Sequence, residues 1–123
     1  VPTLADIGEF EAIRRLDDAR RSAADVRVGP GDDAAVLAAP EGRDLVITTD
    51  AFVEGRHYLP AWCGAEEAGR RLAVANLSDL AAMGARPRWA FHAVGVSPGA
   101  DVDDLVAFER GLAETLAAHG GSV

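Results

Sequence analysis

Two adjacent aspartates, Asp32 and Asp33, stand in the stretch VGPGDDAAVL, residues 28–37. Asp50 closes DLVITTD directly behind Thr48 and Thr49. Asp79 lies in AVANLSDLAAMGA, three residues after Asn76. Asp33, Asp50 and Asp79 each sit at the edge of an apolar run. Carboxylates in such places suit a hard cation, because magnesium binds through a few carboxylates, keeps several waters and takes substrate phosphate oxygens. Thr48 and Thr49 can add hydroxyl or carbonyl oxygens. Each acid also has a plainer reading. Gly-Asp-Asp is ordinary turn chemistry, Asp50 can cap a turn, and Asp79 can pair with Arg70, Arg71 or Arg88.

The stretch around Asp79 carries the sharper argument. At about 100° per residue, Asn76 and Asp79 fall on the same side of a helix as Leu72, Ala75 and Met83. Residues 73–85 contain no Lys or Arg and are apolar almost all round. A buried helix is therefore expected, with Asp79 lacking a local partner. Such a carboxylate is costly or neutral unless a cation or an arginine meets it. There is no glycine loop of the GxxxxGK type and no GxGxxG. Any nucleotide would be held through metals rather than through a phosphate-cradling loop.

Of the three histidines, His92 alternates within a strand-like stretch and reads as structural. His119 closes a helix, where an imidazolium suits the dipole. His57, beside Arg56 in the loop after Asp50, is the best candidate for touching a substrate. Cys63 is the only cysteine and has no evident base nearby, so it reads as inert, and neither a disulfide nor a cysteine zinc site can form from it.

The net charge is −8 and argues against a nucleic-acid backbone as partner. Divalent cations would reconcile that charge with a phosphate substrate. No apolar run approaches the roughly 20 residues that cross a membrane, and no basic stretch precedes an apolar one as in a secretory signal. A cytoplasmic location is the expectation. With 123 residues the chain reads as one domain.

The elements that must position these groups follow from periodicity. Ile7, Phe10, Ile13 and Leu16 predict a helix over 6–21, with Asp6 and Glu9 in the form of a capping box. Residues 22–33 read as a loop. AAVLAAP (34–40) and DLVITTD (44–50) read as two strands joined at PEGR. Residues 51–64 are an irregular link. A second helix is predicted over 65–83, stopped by Gly84 and Pro87. RWAFHAVGV (88–96) is a third strand. A third helix is predicted over 101–119, capped by Asp101, with Leu105, Phe108, Leu112 and Leu116 on one face. Ser122 and Val123 look like the start of another strand. The expected fold is α+β, a mixed β-sheet with helices packed on one face. The absent initiator Met and the abrupt end predict a piece of a longer protein.

GDDAAVL, ITTDAFVEGRHY and LAVANLSDLAAMGARP occur in that order, and together they closely resemble the N-terminal domain of the thiamine-monophosphate kinases. The resemblance runs from GEFEAIRRL onward, and NLSDLAAMGA with TTDxxVEGxH is its specific part. That family shares a superfamily with aminoimidazole ribonucleotide synthetase, selenophosphate synthetase and the hydrogenase-maturation dehydratase. The resemblance implies an N-terminal domain that binds ATP with several magnesium ions and pairs its sheet with a second copy in a homodimer. It implies transfer of the terminal phosphoryl group of ATP, by direct in-line attack, to thiamine monophosphate. Carried over by motif, Asp33, Thr48, Thr49, Asp50 and Asp79 would hold magnesium, Asp32 would orient its loop or bind through water, and His57 would touch the thiamine phosphate. Asn76 and His119 are secondary candidates, His119 standing where relatives often carry an aromatic near the nucleotide. Relatives continue with a Gly-Gly-Asp-Thr segment and a second domain, so residues 1–123 by themselves are expected to be inactive. The rival readings are a sister enzyme of the superfamily and a non-catalytic dimerisation or metal-binding module.

Overall fold

The computed structural model describes residues 1–20, 23–30 and 33–123. Its elements run α1 (Leu4–Ile7), α2 (Glu9–Asp18), β1 (Val26–Val28), β2 (Val36–Leu37), α3 (Ala65–Ala82) and α4 (Val102–Ala118). This is an α+β chain. No helix among the described residues is long and apolar enough to cross a membrane.

The helix expected over 6–21 is two helices. The capping pair sits one register earlier than expected: the Thr3 backbone N–H and hydroxyl both donate to the Asp6 carboxylate, at 2.8 and 2.7 Å. Gly8, at φ 76°, ends α1 and begins α2. An L side chain is strained in that left-handed region, so the break is written into the glycine. α2 is laced by ion pairs from Arg14 and Arg15 to Glu11 and from Arg14 to Asp18. Its apolar stripe is not covered, since Phe10 and Ile13 are exposed.

The sheet departs further from expectation. β1 forms inside the stretch read as a loop, and β2 pairs backwards with it, Val26 opposite Leu37 and Val28 opposite Val36, antiparallel with an irregularity between. The expected hairpin from 34–40 to 44–50 does not form. Among the described residues, 44–50 and 88–96 make no ladder, apart from one parallel bridge between Trp89 and Ser122. There Ser122 N–H donates to the Arg88 carbonyl at 2.9 Å and Ala90 N–H to the Ser122 carbonyl at 2.8 Å. A β-branched run suits a pleated, half-buried surface, and forms a strand only where neighbouring chain supplies one. Leu45, Val46, Ile47, Phe91, Val94 and Val96 remain exposed, with Ile47 at 83% and Phe91 at 73%.

The core lies between α3 and α4. Ala73, Leu112 and Leu116 are buried against one another, with Leu72, Leu77, Ala90 and Val123 packed around them. The two helices approach so closely because each contributes a glycine to the crossing. A Cβ on Gly69 would overlap the Phe108 carbonyl, and one on Gly111 would overlap the Glu66 carbonyl. An Arg110–Glu66 ion pair flanks this crossing. Asp101 caps α4 as expected, its carboxylate accepting from the Asp103 N–H at 2.8 Å. Of the predicted apolar face, Leu112 and Leu116 are buried and Leu105 and Phe108 half-buried.

Candidate functional site

The extended segment after β2 runs alongside the later turns of α3. There the Thr48 hydroxyl donates to Asp79 Oδ2 at 2.9 Å, joining two residues 31 positions apart. α3 does not bury this face. Asp79 is exposed, contrary to the buried helix that its apolar surroundings predict. The reason is packing: α3 is covered through Ala68, Gly69 and Ala73 on its α4 side, and its last turns lie beyond that crossing. Water, and the bond from Thr48, therefore meet the carboxylate. None of the arginines weighed against it forms an ion pair with it among the described residues: Arg70 pairs with Glu67 and Arg88 with Asp25.

Thr48, Thr49, Asp50, Asn76 and His119 line one broad, open concavity of about 2450 Å³. Its other walls include Leu72, Phe108 and Leu116 from the helix pair and the extended residues 89–97. Asn76 spends its amide on its own helix, donating to the Leu72 carbonyl at 3.0 Å. The His119 ring lies with Nδ1 2.9 Å from the Thr115 carbonyl. Asp33 stands elsewhere. It lines a smaller cavity of about 310 Å³ with Arg20, Val26, Trp89, His92 and Ser122. Asp32 lies outside the described residues.

The donors fit magnesium in kind, being carboxylate and hydroxyl oxygens. Thr48 and Asp79 also fit by placement. Among the described residues, no three His, Cys, Asp or Glu side chains gather closely enough to hold a metal by themselves. A magnesium ion there would have to take its remaining ligands from water and from a phosphate-bearing group, as it does at nucleotide sites.

His57 sits in a turn that closes on itself. Its N–H donates to the Val53 carbonyl at 2.8 Å, while its Nδ1 accepts the Val53 N–H at 2.9 Å. Gly55 turns the chain at φ 75° and donates to the Tyr58 carbonyl at 2.8 Å. With Nδ1 accepting, the ring proton is on Nε2. The exposed ring thus presents a hydrogen-bond donor outward. Phe52 stacks on Tyr58 with centroids 5.0 Å apart, and more loosely on His57 at 6.2 Å. Burial pushes the Tyr58 hydroxyl pKa up, so it stays protonated.

Sequence reasoning passed over one polar cluster. Glu109, 1% exposed, is the largest fully buried side chain. Arg20 Nε donates to its Oε1 at 2.7 Å, and His92 Nε2 lies 2.9 Å from its Oε2. Burial pushes the Glu109 pKa up, but His92 and Arg20 outweigh that and hold it below the ordinary value. Its position was a signal: Glu109 follows Leu105 by four residues and precedes Leu112 by three and Leu116 by seven, which sets it on the apolar face of α4. The reading of His92 as structural agrees with this placement.

The class defined here is an α+β domain that displays hydroxyl and carboxylate oxygens from two neighbouring elements beside an open concavity. Residues 31–123 match the family described as AIR synthase related protein, N-terminal domain, and the chain belongs to that family. It is similar to the thiamine-monophosphate kinases of Escherichia coli (46% identical over 110 residues, 89% of this chain and 33% of the relative) and Salmonella typhimurium (48% over 106 residues, 85% and 32%). A third relative, the thiamine-monophosphate kinase of Mycobacterium tuberculosis, is 41% identical over 108 residues, 85% of this chain and 32% of its own. The chain thus spans about a third of the length of the curated relatives it matches.

Proposed function

We propose that this chain is the N-terminal, ATP- and magnesium-binding domain of a thiamine-monophosphate kinase. The observation that carries the reading is the Thr48–Asp79 bond, which joins the two motifs that carry the resemblance, ITTDAFVEGRHY and NLSDLAAMGA. Its support is the similarity to three kinases of that name.

In this reading Asp33, Thr48, Thr49, Asp50 and Asp79 hold several magnesium ions against the ATP phosphates. Magnesium supplies charge neutralisation between two anions that otherwise repel. The chain's own part is positioning. Thr48 orients Asp79, and the Asp33 segment and the Thr48–Asp50 segment approach the nucleotide from two sides. Asn76 and His119 stand as secondary contacts from the concavity. His57 donates from Nε2 to the phosphate of thiamine monophosphate. That phosphate would attack the terminal phosphorus of ATP in line as the bond from that phosphorus to the bridging oxygen breaks and ADP leaves; no strong base is needed, so placement and electrostatics suffice.

The fold part of the proposal is a homodimer. The unpaired segments 44–50 and 88–96 complete a mixed sheet, with helices on one face, that is covered by a second copy. A cytoplasmic location belongs to the same reading.

The test uses the full-length protein of which this chain forms the N-terminal third. It is incubated with ATP, magnesium and thiamine monophosphate, and thiamine diphosphate is separated by chromatography. Product that disappears in Asp79→Asn supports the kinase and the role of Asp79. ATP consumption with a different acceptor would move the protein to a sister enzyme. No ATP use at all would leave a non-catalytic module.

A further inference from the structure

Glu109 ties three separate parts of the chain together: the residue following α2's last turn through Arg20, the extended segment 88–96 through His92, and α4 itself. Arg20 is held from further sides, its Nη2 3.3 Å from His92 Nε2 and its Nη1 4.0 Å from the Asp17 carboxylate. An ionic cluster around a buried carboxylate rarely raises stability over apolar side chains of the same volume, and in some proteins such clusters serve to fix a geometry. The geometry at stake is visible. Arg20 and His92 wall the cavity of about 310 Å³ that Asp33, Ala34 and Ala35 also line. His92 Nδ1 and Glu109 Oε2 are both buried with no hydrogen-bond partner among the described residues. The polar contacts of the ring are both through Nε2, 2.9 Å from Glu109 Oε2 and 3.3 Å from Arg20 Nη2.

We infer that Glu109 is a positioning residue: through Arg20 and His92 it sets the wall against which the Asp33 segment stands, and thereby the affinity for a magnesium–nucleoside triphosphate. This rests on the reading that Asp33 meets the magnesium nucleotide. Glu109 touches neither metal nor substrate. Direct partners of a metal's ligands change its affinity by about 10- to 100-fold when altered, and Glu109, which acts through Arg20 and His92, belongs at the low end of that range.

The experiment uses the full-length protein. Titration calorimetry measures binding of a non-hydrolysable ATP analogue with magnesium, and thermal melting is followed in parallel. Glu109→Gln is expected to weaken binding about 10-fold. The apolar triple variant Arg20→Met, His92→Phe, Glu109→Leu is expected to melt close to the parent yet bind as weakly as Glu109→Gln. Affinity restored along with melting temperature in the triple variant would make the cluster merely structural and overturn the inference. So would unchanged affinity in Glu109→Gln, which decides the matter alone if the triple variant does not fold. A parent that binds the magnesium analogue but makes no thiamine diphosphate defeats the kinase reading and leaves this inference readable. A parent that binds no magnesium nucleotide overturns both.

Discussion

Asp79 stands in water and accepts a bond from the Thr48 hydroxyl, rather than lying buried as its apolar neighbours in the sequence predict. The single bond from Thr48 aims one oxygen and leaves the other open. Thr48→Val is therefore expected to change folding stability by no more than about 1 kcal/mol, the net worth of one such hydrogen bond. Its visible effect should be on magnesium: half-maximal activation of the full-length protein should need several-fold more of the ion. An unchanged magnesium requirement would separate Thr48 from the site. Glu109 makes the opposite case, a carboxylate whose ionised form is stabilised by its partners. Its pKa is lowered in the fold, from an ordinary 4.5. The folded state thus favours the charged form, and the contribution is fully present above pH 4.5 and lost as pH falls through the lowered value. The stability difference between the parent and Glu109→Gln in urea titrations should shrink steadily below pH 4.5. A difference that stays constant down to pH 3 would contradict it. Residue types and spacing revealed Thr48, Asp79 and His57. They misjudged the burial of Asp79, because burial depends on where a second helix crosses.

Helix existence follows from local rules, and helix approach does not. α3 and α4 were legible from period and caps, and Asp101→Ala should cost about 1 kcal/mol through the lost N-cap. The crossing glycines were not legible as such, since Gly69 and Gly111 look like weak points in two helices until their positions meet in space. There a methyl group has only backbone carbonyl to displace. Gly69→Ala and Gly111→Ala should each destabilise by about 3 kcal/mol or more, at the upper end of overpacking, despite alanine's better helix propensity. A melting temperature that rises in either variant would mean the helices stand further apart than described. The strands were the least legible elements. Val26–Val28 hides in a turn-rich stretch, and its pairing with Val36 and Leu37 was decided by which apolar pair could reach the other.

At the scale of the whole molecule, apolar side chains stay in water along two extended segments. Scattered exposed apolar residues are ordinary, whereas runs of them mark surfaces that are normally covered. Under the proposed homodimer, the full-length protein should behave as a dimer in light scattering at micromolar concentration. The double variant Ile47→Glu, Phe91→Glu should shift it to monomer with the helix pair intact by circular dichroism. A parent that is already monomeric would remove the second copy from the account. The broad concavity between these segments and the helices holds five of the expected site residues, while Asp33 lies in a different cavity.

The sequence by itself determined the α+β class, the two long helices with the cap at Asp101, and the oxygen donors that suit a hard cation. These depend on residue type and short-range spacing, which act through the local backbone. Only the tertiary structure decided that Asp79 is exposed and bonded to Thr48, that Gly69 meets Phe108 and Gly111 meets Glu66, and that Glu109 meets Arg20 and His92. Each of these joins residues far apart in the chain. Such meetings depend on how whole elements pack, and no local pattern encodes the distance between them.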